Sequence, residues 1–160
     1  MCIQISFKQA TVQNLEEIVT MYRKSFKKLY EKYHDDTTSP YKEPKEVIEN
    51  KLSLKNSYYF FIQQKKKNVG IIRILLDNKE NTAKISPILI LPEFQNQGLA
   101  QKSLIQIEKK FPDIKTWVLD TIKQEKKLVH LYLKAGYQII DGKESRIQDG
   151  MNIIYFYKKV

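Results

Sequence analysis

The spacing of apolar residues changes along this chain, and each change predicts a change of secondary structure. Residues 4–11, "QISFKQAT", alternate between apolar and polar types, which predicts a half-buried first strand. From Leu15 to Tyr33, apolar residues recur every three or four positions, which predicts an amphipathic helix. This segment forms either one long helix or two helices that bend near Ser25.

A polar segment then interrupts the helical pattern. Residues 34–44, "HDDTTSPYKEP", contain two prolines among Asp, Thr and Ser residues, and they predict the longest loop of the chain. Pro44 can begin a second helix in "KEVIENKLSL", where Val47, Ile48 and Leu52 share one face.

The period changes to two from Tyr58 onward. Three extended segments, "YYFFIQQ", "VGIIRILLD" and "AKISPILIL", are separated by the polar turns "KKKN" and "NKEN". We expect these segments to form an antiparallel meander of three strands.

Helices and strands alternate in the rest of the chain. Residues 98–110 predict a helix that Pro112 stops, and "TWVLDT" predicts the next strand. Residues 124–135 predict a further helix, which Gly136 closes as a C-cap. The strands "YQII" and "NIIYFYK" complete the pattern, and we expect the polar segment "DGKESRIQDG", residues 141–150, to be the loop that joins them.

This order of elements predicts a single domain of the α/β class over residues 1–160. The sheet should be mixed and mostly antiparallel, with about six to seven strands flanked by about four helices. The passage from Lys84 to Thr121 should be a right-handed parallel crossover. Its switch from strand to helix falls at "LPEFQNQGLA", residues 91–100.

Charge narrows the class of partner. The 28 Lys and Arg residues exceed the 18 Asp and Glu residues, which gives a formal net charge of +10 and favours anionic partners. The basic residues are dispersed along the chain. They therefore fit an ordinary solvated surface or an anionic small ligand better than a nucleic acid, whose binding proteins usually gather their bases on one stripe.

Composition also argues against several kinds of site. No apolar run approaches the roughly 18–20 residues of a membrane span, and the first residues do not have the pattern of a signal peptide, so we expect a cytoplasmic protein that binds no membrane. Cys2 is the single cysteine and cannot form an internal disulfide. One cysteine and two histidines offer few metal ligands, and no metal site is expected.

Gly98 is unusual because the chain has only five glycines, and a glycine inside a helix costs roughly 0.5–1 kcal/mol of stability. A helix that starts just after a strand presents N–H groups and the positive end of its dipole, which favours a phosphate group. Gly98 would let that phosphate approach the backbone, and the small Ala100 would extend the clearance. The stretch matches neither a Walker loop nor G-x-G-x-x-G, and a glycine that eases helix-to-sheet packing is the alternative.

Two segments resemble the signatures of the GNAT superfamily of N-acetyltransferases. "QNQGLA", residues 95–100, matches Gln/Arg-x-x-Gly-x-Gly/Ala at the end of the family's fourth strand. "LYLKAGY", residues 131–137, matches Leu-Tyr-x-Lys-x-Gly-Phe/Tyr. The order of elements fits the family from Ile5 to Tyr157, so the resemblance covers nearly the whole chain and implies a GNAT-like sheet with a splayed parallel pair.

The resemblance implies that the chain binds acetyl-coenzyme A as a co-substrate. The diphosphate would lie on the backbone of residues 97–100, and the pantetheine arm would pair with the fourth strand in the opening beside the fifth. Backbone N–H groups near Leu89 and Ile90 would polarise the thioester carbonyl. The implied cofactor-binding residues are Ile88, Leu89, Ile90, Gln95, Asn96, Gln97, Gly98, Leu99, Ala100 and Gln101.

Tyr132 matches the tyrosine that protonates the departing coenzyme A thiolate in the family. A phenol with a pKa of about 10 can donate a hydrogen bond there and keep its proton at neutral pH. From the residues alone, the pattern favours a packing role for Tyr132 on the apolar face of a helix, and the resemblance favours the proton donor. We expect Tyr137, in the Phe/Tyr position of the motif, to belong to the core.

The chain departs from the family pattern at two places. Glu125 stands where the family often has an Asn that contacts the cofactor, so its role is open. On the fourth strand, where many members have a Glu or His base, the inward candidates are Lys84 and Ser86, and neither is a convincing base. The other candidates for a base are carboxylates: Asp120, Asp35 and Asp36.

These features predict an N-acetyltransferase that passes the acetyl group of acetyl-coenzyme A directly to a primary amine. The acids of the long loop, Asp35, Asp36 and Glu43, favour a small cationic molecule as the acceptor. Two alternatives are a sensor that binds acetyl-coenzyme A without catalysis and a basic module that binds nucleic acid or the ribosome. We expect the protein to be a monomer or a homodimer.

Overall fold

The computed structural model describes residues 4–160, and this part of the chain contains seven strands and four α-helices. The strands are β1 (Ser6–Gln9), β2 (Ser57–Gln64), β3 (Lys67–Asp77), β4 (Thr82–Ile90), β5 (Thr116–Ile122), β6 (Gln138–Gln148) and β7 (Met151–Lys159). The helices are α1 (Leu15–Tyr33), α2 (Lys45–Ser53), α3 (Leu99–Gln106) and α4 (Lys126–Lys134). Short 3-10 turns lie at Val12–Asn14, Pro40–Lys42, Pro92–Phe94 and Ile107–Lys110.

The seven strands follow the order β1-β2-β3-β4-β5-β7-β6 in a mixed sheet. β4 and β5 are parallel, and their register joins residues 82–84 to residues 116–118. β7 pairs antiparallel with both β5 and β6, and β1 pairs antiparallel with β2. These pairings and the four α-helices confirm the predicted fold class, including its parallel pair of strands. The opening between the later parts of β4 and β5 stays a prediction.

The segment predicted as one helix or two forms a single helix, α1. A capping box stabilises the 3-10 turn Val12–Asn14 that leads into α1: Thr11 Oγ1 accepts from Gln13 N (3.3 Å), and Asn14 Oδ1 accepts from Thr11 N (3.0 Å). The helix ends before His34, whose φ of 50° is left-handed. The apolar face of α1 buries Leu15, Ile18, Met21 and Tyr22.

The described chain divides into two compact units. The first comprises the residues up to Ile74 together with Pro87–Leu99, and the second comprises Leu75–Ser86 and Ala100–Val160. In the second unit, Trp117 is fully buried and packs edge-on against Phe111, with ring centroids 6.1 Å apart. The core of the first unit contains Ala10, Leu15, Ile18, Met21, Tyr22, Ile48, Tyr59, Phe61, Ile71 and Leu89. The expectation of a single domain stays a prediction.

The loop predicted at residues 141–150 is wrong over most of its length. Strand β6 continues to Gln148, and Asp149 and Gly150 form the turn to β7. β6 lies at the edge of the sheet, so its backbone pairs with β7 while polar side chains face water. A register shift between Ile139 and Glu144 also removes the regular alternation by which a strand is recognised.

The helix predicted at residues 98–110 begins one residue later and changes type along its length. Leu99–Gln106 is α-helical, and Ile107–Lys110 continues as a 3-10 turn. The helix predicted at residues 124–135 is shorter, because α4 covers Lys126–Lys134. Gly136 follows the end of α4 with a φ of 97°, as its predicted role in stopping the helix requires.

Candidate active site

The chain turns sharply between the end of β4 and the start of α3. Leu91 N donates to Val69 O on β3 (2.9 Å), so β3 still pairs with the chain just after β4. The side chain of Gln95 then folds back, and its Nε2 donates to Ile90 O (2.9 Å). Gln95 therefore ties the loop to the end of the strand.

Two residues of this loop adopt the left-handed backbone conformation. The φ of Asn96 is 63°, and the φ of Gly98 is 79°. Glycine adopts this conformation without strain, and Asn tolerates it better than most residues do. Gly98 is therefore the last residue before the helix and not a part of it, which explains a glycine at this position.

The start of α3 follows directly. Leu99 is buried and anchors the first turn, whereas Gln97 and Gly98 are exposed to solvent. Ala100 and Gln101 occupy the next two positions of the helix. The first N–H groups of an α-helix have no partner within the helix, and the dipole adds positive potential there. An exposed turn of this kind is chemically suited to a phosphate group.

Gly70 on β3 allows the end of β4 to approach closely. A Cβ atom at Gly70 would lie 2.4 Å from Leu89 O and 2.9 Å from Ile90 Cδ1. Leu89 and Ile90 are buried, and Ile88 is half-buried. An isolated glycine within a strand pattern is the sequence signal for such an approach.

Tyr132 projects from α4 into the interior of the second unit. Its ring centroid lies 5.5 Å from that of Phe156 and 6.5 Å from that of Tyr137. Burial raises the pKa of Tyr132, and the charge of Asp120 raises it further. The phenol is therefore protonated at neutral pH, as a proton donor must be. Tyr137 is buried in the same core, where it was expected.

Both ends of α4 are held by neighbouring groups. At the start, the carbonyl oxygen of Glu125 accepts from Leu128 N (3.0 Å). At the end, Lys158 Nζ donates to Ala135 O (2.9 Å) and lies 2.9 Å from Glu108 Oε2. The pairing of Glu108 with Lys158 could not be predicted from the sequence, which shows only a lysine next to an apolar strand segment.

Lys84 and Asp120, two of the candidates for a base, form an ion pair. Lys84 Nζ on β4 lies 3.3 Å from Asp120 Oδ2 on β5, and both side chains are partly exposed. Ser86 lies two residues further along β4 and is half-buried. The parallel register brings Lys84 and Asp120 together, since Lys84 is paired with Val118, two residues before Asp120.

Asp35 of the long loop is engaged in local hydrogen bonds. Its carboxylate accepts from the backbone N–H and the hydroxyl groups of Thr37 and Thr38, and the residue is only 3% exposed. Burial acts to raise the pKa of Asp35, but the hydrogen bonds from Thr38 and Thr37 outweigh burial and lower the pKa. These contacts favour a structural role for Asp35.

The other two loop carboxylates also have partners within the first unit. Asp36 accepts a hydrogen bond from Tyr30 and lies 3.7 Å from Lys42 Nζ. Glu43 forms an ion pair with Lys51. Both carboxylates would have to exchange these partners before they could bind another cation.

The described residues provide no arrangement for a metal ion. Among residues 4–160, no three His, Cys, Asp or Glu side chains are grouped so that they could hold one. Within the same range, no helix combines the length and the apolar character needed to cross a membrane. Cys2 lies outside the described residues.

A family comparison covers most of the chain. The profile of the "Acetyltransferase (GNAT) family" matches residues 15–137, which is more than half of the chain. The chain belongs to the GNAT family. Members of this family are acyltransferases, and acetyl-coenzyme A is their co-substrate.

Solved structures with this fold align with nearly the whole of this GNAT chain. The PaiA N-acetyltransferase from Thermoplasma acidophilum, in complex with coenzyme A, is 19% identical with a TM-score of 0.76, and the match covers 99% of this chain and 100% of that one. The spermidine N-acetyltransferase from Vibrio cholerae, in complex with coenzyme A and spermine, is 18% identical with a TM-score of 0.77. That match covers 98% of this chain and 95% of the other.

A sequence relative is found in Bacillus subtilis (strain 168). It is the "Uncharacterized protein YrkN", which is 24% identical over 95 residues. The matched region is 59% of this chain and 51% of that protein, so the similarity spans about half the length of the relative.

Proposed function

We propose that this GNAT protein transfers the acetyl group of acetyl-coenzyme A directly to the primary amine of a small cationic molecule. The turn at Gly98 carries the proposal. An exposed left-handed glycine at the start of α3, directly after a strand, gives a diphosphate access to backbone N–H groups. The net charge of +10 adds long-range attraction for this anionic co-substrate.

Each part of the co-substrate has a proposed position. The diphosphate binds the backbone of residues 97–100, Gln95 and Asn96 shape the loop, and Gln101 lies in the first turn of the helix. The pantetheine arm pairs with the backbone of residues 88–90, as an added strand would. Backbone N–H groups of Leu89 and Ile90 then stabilise negative charge on the thioester oxygen.

The proposed transfer needs one proton donor from the protein. The amine nitrogen attacks the thioester carbon, so that a C–N bond forms and the C–S bond breaks. Tyr132 gives its hydroxyl proton to the departing thiolate. The proton that the amine loses passes to water, and solvent returns a proton to Tyr132.

A cationic acceptor is proposed on two grounds. The protein from Vibrio cholerae that shares this fold is a spermidine N-acetyltransferase, and spermidine is a cationic amine. The sequence also places three acids in the long loop, although their present contacts are internal. A cytoplasmic location and a monomeric or homodimeric state stay predictions.

Calorimetry with coenzyme A, followed by an acetylation panel, tests the proposal. The panel contains diamines, amino acids, peptide N-termini and lysine peptides, and release of the free thiol measures turnover. We expect coenzyme A to bind and a cationic small amine to be acetylated. Binding without turnover on any amine would favour the sensor, and RNA binding with a steep salt dependence but no coenzyme A binding would favour the nucleic-acid module.

A further inference from the structure

Tyr132 of α4 packs against the sheet near Asp120 of β5, but the two side chains lie on different faces of the sheet. The antiparallel register pairs Leu119 with Phe156 and Asp120 with Tyr155. Successive side chains of a strand point to opposite faces. The ring of Tyr132 packs on Phe156, with centroids 5.5 Å apart. Tyr132 is therefore on the Leu119 face, and Asp120 is on the other.

The carboxylate of Asp120 is accessible. Its side chain is 34% exposed, and its partner Lys84 is 45% exposed, with 3.3 Å between Nζ and Oδ2. An ion pair between exposed side chains contributes little, because water solvates both partners when it opens. A second cation can therefore replace Lys84 at low cost.

The neighbouring side chain on this face also suits a cation. Tyr155 is the register partner of Asp120, and the ammonium of Lys143 lies 4.3 Å from the centroid of its ring. An aromatic face beside a carboxylate is a favourable environment for an ammonium group. The carboxylate of Asp35, by contrast, is 3% exposed and surrounded by four donor groups.

We propose that Asp120 binds the ammonium group of the acceptor in exchange for Lys84 and thereby makes the enzyme selective for cationic amines. This inference rests on the proposed acetyl transfer. The thioester would lie in the predicted opening between β4 and β5, so that the amine attacks its carbon from the Asp120 face and Tyr132 gives its proton to the departing sulfur from the other face.

Two acceptors of different charge separate this role from a structural one. 1,4-Diaminobutane is a cation at neutral pH, whereas O-methylhydroxylamine is an uncharged primary amine there. The measured quantity is the ratio of kcat/KM for the diamine to kcat/KM for the hydroxylamine. A misfolded or displaced site lowers both values together and leaves this ratio unchanged.

The variants are Asp120→Asn, Lys84→Met and a matched control, Glu144→Gln. Glu144 also pairs with a lysine, since its Oε1 lies 2.9 Å from Lys123 Nζ, and its side chain is 38% exposed. We expect Asp120→Asn to lower the ratio roughly 10- to 100-fold, as loss of a charged hydrogen-bond partner does. Lys84→Met should raise the ratio, and Glu144→Gln should leave it unchanged.

Three outcomes would contradict the proposal. A ratio that stays within about twofold of the parent in Asp120→Asn would overturn this inference alone, provided that the parent binds coenzyme A and acetylates the amines. A parent that binds coenzyme A but acetylates neither amine would overturn the proposed transfer and this inference together. If Glu144→Gln lowered the ratio as much as Asp120→Asn does, the cause would be the loss of any negative surface charge. That result would also overturn the inference.

Discussion

Glu108 and Lys158 form an ion pair of 2.9 Å although their side chains are only 16% and 18% exposed. Lys158 also donates to the carbonyl oxygen of Ala135, at the end of α4. A cation at the C-terminus of a helix satisfies the last carbonyl groups and complements the dipole. This pair therefore fixes the end of the helix that carries Tyr132.

Lys158→Met should destabilise the protein by about 3 kcal/mol, because it leaves the carboxylate of Glu108 largely buried without its partner. Urea denaturation measures the loss. The double variant Lys158→Met with Glu108→Gln should recover part of it, since the uncompensated charge is then absent. Lys123→Met breaks an exposed pair and should cost less than about 1 kcal/mol. If Lys158→Met and Lys123→Met lost the same free energy of unfolding, burial of the Glu108–Lys158 pair would not explain its contribution to stability.

Asp35→Asn should lower the stability at neutral pH by about 1–3 kcal/mol, because the charged acceptor for Thr37 and Thr38 is lost. The depressed pKa of Asp35 means that its carboxylate stabilises the fold above the unfolded pKa of about 3.9, and that this contribution disappears as the pH falls through the lower folded pKa. Urea denaturation at several pH values measures the effect.

The parent protein should therefore lose more stability than Asp35→Asn when the pH is lowered below about 4. Asp36→Asn is the matched control, since the side chain of Asp36 is 68% exposed. Parallel acid profiles for the parent and Asp35→Asn would show that the carboxylate of Asp35 contributes nothing specific.

Elements with a local pattern could be predicted from the sequence. The apolar spacing of α1 depends on residues three and four positions apart, which one sequence displays directly. The turn before α3 carries its own signal in Gly98, because a left-handed residue favours glycine. The family resemblance then supplied the roles of Gly98 and Tyr132, which stay predictions.

Contacts between distant segments could not be predicted in the same way. The pairing of Lys84 with Asp120 depends on the register of β4 and β5, and the partner of Lys158 is a residue in the turn after α3. The start of β6 was predicted from "YQII", but its continuation to Gln148 was missed because an edge strand needs few apolar residues and because its register shift removes the alternation. Long-range pairing leaves little trace in one sequence.

Gly70→Ala should destabilise the protein by about 1–3 kcal/mol and weaken binding of coenzyme A, because the added methyl group would lie 2.4 Å from Leu89 O. β4 must move away from β3 at the residues proposed to pair with the pantetheine arm. Thermal unfolding and calorimetry measure the two effects. Gly142→Ala adds a methyl group where no atom lies within 4 Å, and it should leave coenzyme A binding unchanged. If Gly70→Ala bound coenzyme A as tightly as the parent, the close approach of Gly70 to Leu89 would play no part in coenzyme A binding.

Tyr132→Phe should lower kcat by roughly 10²–10⁴-fold, as loss of a positioned proton donor does, and it should leave coenzyme A affinity nearly unchanged. The ring remains, so packing against Phe156 is kept. Steady-state kinetics with an acceptor from the panel and calorimetry provide the two measurements.

Tyr137→Phe is the matched control for Tyr132→Phe. The hydroxyl of Tyr137 is buried and has no hydrogen-bond partner within residues 4–160, so its removal should not lower stability. Turnover should stay within about twofold of the parent. A Tyr132→Phe enzyme as active as Tyr137→Phe, under conditions where chemistry limits the rate, would make Tyr132 a packing residue.

Gly98→Asp and Gly98→Asn test the proposed diphosphate site as a pair. Asn and Asp have nearly the same shape and both tolerate a left-handed φ such as the 79° of Gly98, so the pair differs mainly in charge. We expect Gly98→Asp to bind coenzyme A roughly 10- to 100-fold more weakly than Gly98→Asn, because its carboxylate would face the diphosphate. Gly150→Asp adds a carboxylate at a similar φ of 77° in the β6-to-β7 turn, and it should leave the affinity unchanged. Calorimetry at fixed ionic strength measures all three variants. Equal affinities for Gly98→Asp and Gly98→Asn would mean that no phosphate approaches this turn, and the proposed position of the co-substrate would be wrong.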